Sequence, residues 1–231
     1  MDILDITFDM ETTALCPSAG VLAMAAVAWN REALKSPWLY RGDASPETFF
    51  KHVNGNSNFV ECRTHDADTM EWWHRQPQEV KDALLPEDPY TNPPLSLRDL
   101  LLNFFEWIEQ LRTIYEPKAI CLWCQGSDFD IAILRDIAYK LDEMKALNDS
   151  IVYTNHRDCR TYVLENGREF LKCSGEEDIR PCKIYALIPS IECDFAEKQP
   201  HDPLFDSVRS TWSVWNIMKR MNEVFKSYTP K

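Results

Sequence analysis

No stretch of this sequence reaches the roughly 20 consecutive apolar residues that cross a bilayer, and the opening MDILDITFDMETT lacks the basic segment and apolar run of an export signal. The expected location is therefore the cytoplasm, with no membrane association. Basic residues are scarce, since 25 Lys and Arg stand against 37 Asp and Glu for a formal net charge of -12. Such a field repels phosphate and excludes a protein that coats long duplexes. A nucleic-acid partner would have to be held by a small local patch and by bound cations that reverse the local sign. No internal repeat is present. The eight cysteines (Cys16, Cys62, Cys121, Cys124, Cys159, Cys173, Cys182 and Cys193) are scattered at irregular spacing, and a reducing compartment keeps them as thiols. Cys121 and Cys124 lie three apart in the apolar run AICLWC. On a strand they point to opposite faces and cannot close on one ion, so they read as buried structural residues.

With 231 residues and 45% hydrophobic content, the chain is long enough to bury one large core, and residues 1–231 are expected to form a single domain. Ile3 to Met10 and Val21 to Trp29 read as strands, joined through the turn residues Pro17, Ser18 and Gly20 into a hairpin. A third strand is expected from Trp38 to Arg41. Short helices are expected near Pro46 to Val53, Asp68 to Gln76 and Gln78 to Leu84. PEDPYTNPP is a loop, because four prolines in nine residues exclude helix and ladder alike. After it, Ser96 caps a helix whose apolar positions Leu97, Leu100, Leu101, Phe104, Phe105, Ile108 and Leu111 recur at helical spacing. Lys118 to Cys124 suits a central strand, which turns through Gln125-Gly126-Ser127 into a helix carrying Asp130, Leu134 and Ile137 on one face. A short strand is expected at Ile151 to Thr154, and irregular structure from Asn166 to Gln199. Asp202 followed by Pro203 starts a last helix that runs to about Phe225, with Val208, Trp212 and Trp215 inward. The element order gives an α/β fold with a central mixed sheet, an antiparallel hairpin at its start and flanking helices.

Asp9 and Glu11 lie two apart at the end of the first strand, so both carboxylates project from one side of the sheet. Side by side they repel unless a hard, oxygen-seeking cation lies between them, and Mg²⁺ or Mn²⁺ fits that donor set. Taken alone the pair is also what many solvated strand ends look like. Two further acid-bearing motifs follow, each at a helix start: GSDFDIAIL brings Asp130, and HDPLFDSV brings Asp206 with His201 five residues before it. One strand and two helix starts can thus deliver four carboxylates and an imidazole to one point.

D-x-E, then F-D after a strand and glycine turn, then H-x4-D resembles the three motifs of DEDDh-type 3′-5′ exonucleases of the ribonuclease H-like superfold. The motifs span Asp9 to Asp206, nearly the whole chain. TMEWWHRQ (Thr69 to Gln76) and DCRT (Asp158 to Thr161) are similar to signatures of phage DexA-type exonucleases and related bacterial exoribonucleases. Here Asp128 competes with Asp130 for the metal role, and the phenylalanine before Asp130 favours the latter. The resemblance implies two ions held by Asp9, Glu11, Asp130 and Asp206, His201 as general base, and release of nucleoside 5′-monophosphates from the 3′ end of single-stranded DNA or RNA or a 3′ overhang. An imidazole suits proton transfer near neutrality. It further implies that Met10, Thr12 and Phe129 approach the terminal nucleotide; a homodimer is common among such proteins. Trp72 and Trp73 can stack on a base or belong to the core; Trp73 is the one expected at the substrate. Arg157, Arg160, Arg168 and Lys172 are candidates for the local positive patch. Three alternatives stay open: an endonuclease of the same superfold, a non-catalytic binding module on this fold, and a zinc protein.

Overall fold

The computed structural model describes residues 1–39, 47–86, 89, 90, 92–191, 193, 194, 196 and 199–228. Strand β1 (Ile3–Thr12) pairs antiparallel with β2 (Val21–Trp29), and β3 (Thr48–His52) extends the sheet antiparallel to β2. Three short helices follow, α1 (Gly55–Val60), α2 (Ala67–His74) and α3 (Gln78–Asp82). The long α4 (Leu97–Tyr115) starts at Ser96, whose hydroxyl accepts the Asp99 N–H as expected for a cap. It leads into β4 (Ala119–Cys124), parallel to β1. A π-helical turn (Ser127–Ile131), α5 (Ala132–Lys140), α6 (Met144–Ser150) and a 3-10 turn come before β5 (His156–Asp158), which is parallel to β4. Finally α7 (Cys159–Cys173), α8 (Pro181–Tyr185) and α9 (Pro203–Tyr228) cover the opposite face. The sheet order β3-β2-β1-β4-β5 puts β1 at the centre. The sheet is mixed, opens with an antiparallel hairpin and is flanked by helices, the α/β architecture expected from the element order.

The two-residue period of β1 sorts its side chains into two chemically different rows. Leu4, Ile6, Phe8 and Met10 enter a core with Leu100, Phe104 and Ile108 of α4. The other row, Asp5, Thr7, Asp9 and Glu11, faces the layer built by α7 and α9. There Trp29, Trp123, Val214 and Trp215 form a second core. Cys124 lies in the first core and Cys121 in the second, so the two thiols point to opposite faces. Across the ladder, Asp9 and Glu11 sit opposite Ala25 and Ala23. Small side chains there let the start of α9 come close to the sheet, and Ser207 Oγ donates to the Ala25 carbonyl at 3.3 Å.

Several elements differ from the sequence reading. The helix expected over Pro46 to Val53 is strand β3, with Pro46 outside the described residues. The run Thr48-Phe49-Phe50 favours a pleated, half-buried surface, and only Phe49 of its two phenylalanines is buried. Of the strand expected at Trp38 to Arg41, Trp38 makes a single bridge to Trp29, and residues 40 and 41 lie outside the description. The short strand begins at His156 rather than at Ile151. The stretch read as irregular from Asn166 instead continues α7 to Cys173 and includes α8. Val163, Gly167 and Leu171 bury a narrow stripe four residues apart, hidden in the sequence by the charged pairs between them. Of the proline-rich loop, residues 87, 88 and 91 lie outside the description. Among the described residues no helix is long and apolar enough to cross a membrane.

Candidate active site

β1 presents Asp9 and Glu11 where its pairing with β2 shifts register, between Glu11 and Thr12. Such an irregularity re-aims the last side chains of a strand. The π-helical turn carries Asp130 inward, with 2% exposure, and leaves Asp128 exposed. Single-turn π segments inside helices are a recurrent way to point a side chain at a functional centre. The backbone N–H of Met10 on β1 lies where it favours the charged form of the Asp130 carboxyl. On α9, Asp206 faces the sheet from the first turn, and Asp202 caps the helix by accepting the N–H groups of Leu204 and Phe205 at 2.8 and 3.2 Å. His201 adopts the left-handed backbone region, φ 67°, where few non-glycine residues are found. Its own N–H donates to Asp206 Oδ2 at 3.1 Å, which holds the strained residue in place.

One ligand atom each from Glu11, His201 and Asp206 lies within 4.8 Å of the other two. Asp9 and Asp130 join them electrostatically. Burial, and after it the charges of Asp130, Glu11 and Asp206, hold the Asp9 carboxyl well above its ordinary range. Burial pushes Glu11 up to about 8, with Asp206, Asp130 and Asp202 adding to the shift. Asp130 is pushed up to about 7 by burial, against the opposing pull of backbone N–H groups and of Arg160. Arg209, one turn along α9, brings Nη2 to 3.0 Å from Asp206 Oδ1. That oxygen is buried and makes no hydrogen bond among the described residues.

Four carboxyl groups withdrawn from water with two arginines as counter-charge are an expensive arrangement, and either protons or a hard multivalent cation must relieve it. The donors are oxygens with one imidazole at the margin, a set suited to Mg²⁺ or Mn²⁺ and unlike the thiolate sites of zinc. The residues present therefore fit a divalent metal.

Beside this cluster opens a cavity of about 510 Å³, lined by Met10, Thr12, Trp72, Trp73, Phe129 and His201 together with Glu11. It gathers all four residues expected at the substrate. Trp73 is buried, and its indole N–H donates to the Thr12 carbonyl at 2.7 Å. Trp72 keeps 40% of its surface exposed and meets the His201 ring edge-on at 4.7 Å. Trp73 is thus a core residue that also forms the wall, and Trp72 is the freer ring. Of the four candidate cations, Arg168 and Lys172 are paired to Glu165 and Glu169 on the outer side of α7. Arg157 donates to the carbonyls of Thr154 and His156. Arg160 is the one of the four whose charge figures among the main influences on Asp130. Asp202 caps the helix as its place before Pro203 predicts, whereas Arg209 escaped the sequence reading, although it lies three residues after Asp206 on the same helix, a spacing that predicts contact.

Residues 5–185 match the family described as 3′-5′ exoribonuclease Rv2179c-like domain. Among solved structures, cell-death related nuclease 4 (CRN-4) is similar at 15% identity with a TM-score of 0.49, covering 97% of this chain and 64% of that one. The nuclease domain of 3′hExo, a DEDDh family member bound to rAMP, is similar at 12% identity and a TM-score of 0.39, covering 97% of this chain and 92% of that one. The chain therefore spans 64% of the length of the first of these structures. No protein of curated function matches the sequence.

Proposed function

The chain belongs to the Rv2179c-like 3′-5′ exoribonuclease domain family, and from that premise we propose that residues 1–231 form one exonuclease domain that removes nucleotides from the 3′ end of single-stranded RNA or DNA, or of a 3′ overhang, as nucleoside 5′-monophosphates. The observation that carries the proposal is the gathering of Glu11, His201 and Asp206 atoms within 4.8 Å beside the buried Asp130 and the partly buried Asp9. Two Mg²⁺ or Mn²⁺ ions held by Asp9, Glu11, Asp130 and Asp206 would supply Lewis-acid polarisation of the phosphoryl group and stabilise the departing 3′-oxygen.

Every other part is assigned to side chains of the chain itself. His201 accepts the proton of the attacking water; its ring is confined between the tryptophans and the Glu11 and Asp206 carboxylates, so it need not be reoriented during reaction. Trp72 offers an exposed aromatic face on which any terminal base can stack. Trp73, locked to the Thr12 backbone, shapes the wall behind it, and Phe129 closes the cavity near the sugar. Met10 and Thr12 bring backbone close to the nucleotide.

The test uses RNA and DNA oligonucleotides labelled at the 5′ end, incubated with Mg²⁺ or Mn²⁺ and resolved by length. The expected result is a ladder shortened from the 3′ end by wild type and absent with Asp9→Ala, while His201→Ala slows it by about 10²- to 10⁴-fold, the usual worth of a positioned base. Internal cuts, or a ladder unaffected by Asp9→Ala, would overturn the reading.

A further inference from the structure

A second cavity, of about 300 Å³, has Arg209, the ion-pair partner of Asp206, in its wall. Its lining includes Arg160, Arg209, Gln125, Tyr185, Ser210 and Ser213, and shares none with the tryptophan-walled cavity. Arg209 brings Nη2 to 3.0 Å from Asp206 Oδ1, and the charge of Arg160 is felt at Asp130, so both guanidiniums belong to the electrostatic surroundings of the candidate metal-binding acids.

The described lining of this cavity contains no acid, in a chain where acids outnumber bases 37 to 25. It is rich in donors. Arg160 makes no hydrogen bond or ion pair among the described residues, so its planar fork of N–H groups is available. Arg209 spends one nitrogen on Asp206 and has others to offer. The Gln125 carboxamide oxygen accepts the Ser210 hydroxyl at 3.1 Å, which turns its amide hydrogens to other partners. Such a surface recognises an anion with several oxygens, and Arg forks match phosphate geometry in particular.

One cavity offers an aromatic ring and the other two cations, with the candidate catalytic acids between them. A strand whose 3′-terminal base stacks in the first and whose terminal phosphodiester lies at the acids must continue away from the first cavity. We propose that the second cavity is a phosphate subsite, which grips the next phosphodiester upstream, the second linkage from the 3′ end. The proposal rests on the exonuclease reading and deepens it: Arg160 and Arg209 position the strand, and through that phosphate they define where on the chain end cleavage occurs.

The test measures release of the first nucleotide from an oligodeoxynucleotide in Mg²⁺, with a single linkage replaced by a neutral methylphosphonate. Neutralising the second linkage is expected to slow release by about tenfold or more, the worth of one charge-assisted contact. Neutralising the sixth linkage should have no effect, and a charged phosphorothioate at the second should restore the rate, which separates charge from bulk. Arg160→Gln should release slowly from the unmodified strand and respond to the second-linkage replacement by less than about twofold. Ser213→Asp, which adds a repelling charge without touching the Asp130 environment, should blunt the response in the same way. Equal release from the unmodified and second-linkage strands would overturn the subsite, as would variants that keep the full tenfold response. Absence of any release from the unmodified strand and from an RNA strand of the same sequence would instead overturn the exonuclease reading.

Discussion

Asp5 and Asp9 stand on the same face of β1, four residues apart, in opposite electrostatic company. Asp5 is fully buried, yet Arg31 Nε donates to it at 2.7 Å and the Trp123 indole N–H at 2.7 Å. Its charge is answered by the fold. Asp9 meets Asp130, Glu11 and Asp206, with Arg209 as the opposing cation. The two should therefore respond to neutral substitution with opposite signs in metal-free protein. Asp5→Ala strands the Arg31 and Trp123 donors and should cost about 2–4 kcal/mol, at the low end for a buried pair because Arg31 keeps a quarter of its side chain exposed. Asp9→Asn removes repulsion and should raise the melting temperature while abolishing activity, a trade common at functional sites. Calorimetry on both variants checks the contrast. The same cluster sets a pH dependence. Unfolded carboxyls titrate near 4, whereas folded Glu11 titrates at about 8 and Asp130 at about 7, so across that interval the folded chain binds more protons than the unfolded one. Their contribution is neutral below about pH 4 and turns increasingly destabilising up to about pH 8. Metal-free protein should thus melt higher at pH 5.5 than at pH 8, and saturating Mg²⁺ should raise the melting temperature more at pH 8; equal gains at both would contradict the shifts.

At the scale of elements, α7 and α8 meet through Gly167, where an added Cβ would fall 2.3 Å from Ile184 Cγ2. Gly167→Ala gains about 1 kcal/mol of helix propensity, but Ile184 is fully buried and stiff at its branch, so overpacking of about 1–3 kcal/mol should win. Melting should fall by about 2–6 °C. In a double-mutant cycle with Ile184→Ala the two losses should be less than additive, because the second substitution removes the clashing methyl. The helix pair was also where the sequence was hardest to read. β1, α4, β4 and α9 announced themselves through long periodic runs and clear caps such as Ser96. α7 buries only one residue per turn between charged neighbours, and Thr48-Phe49-Phe50 fits a strand or a helix until β2 offers a ladder. The site follows the same logic. Asp9, Glu11, Asp130, His201 and Asp206 were visible as spacings, because each sits at the end of a recognisable element. That Arg160, among the four candidate cations, is the one whose charge is felt at Asp130 was not visible, since it depends on which face of α7 turns toward the sheet.

For the whole molecule, a charge of -12 makes any hold on nucleic acid a local matter. If Arg160 and Arg209 are the cations that meet the strand, one to two phosphates are neutralised. Affinity for single-stranded substrate should then fall only about 3- to 7-fold between 50 and 200 mM salt, from a slope of about -0.7 per contact. A binding titration on catalytically dead Asp206→Asn would show it, and a loss of 100-fold or more would point to a larger basic surface than the described residues contain. The molecule as a whole is arranged so that a strand, a π-helical turn and the start of a long helix bring acids from residues 9 to 206 together, and cations are the proposed reason that the fold tolerates them. Isothermal titration of Mn²⁺ into metal-free protein at pH 7.5, beside Asp9→Asn, tests that most directly. The account predicts two ions per chain for wild type and a stoichiometry reduced to one or none in the variant, whereas no binding by wild type, or an unchanged isotherm in the variant, would contradict it.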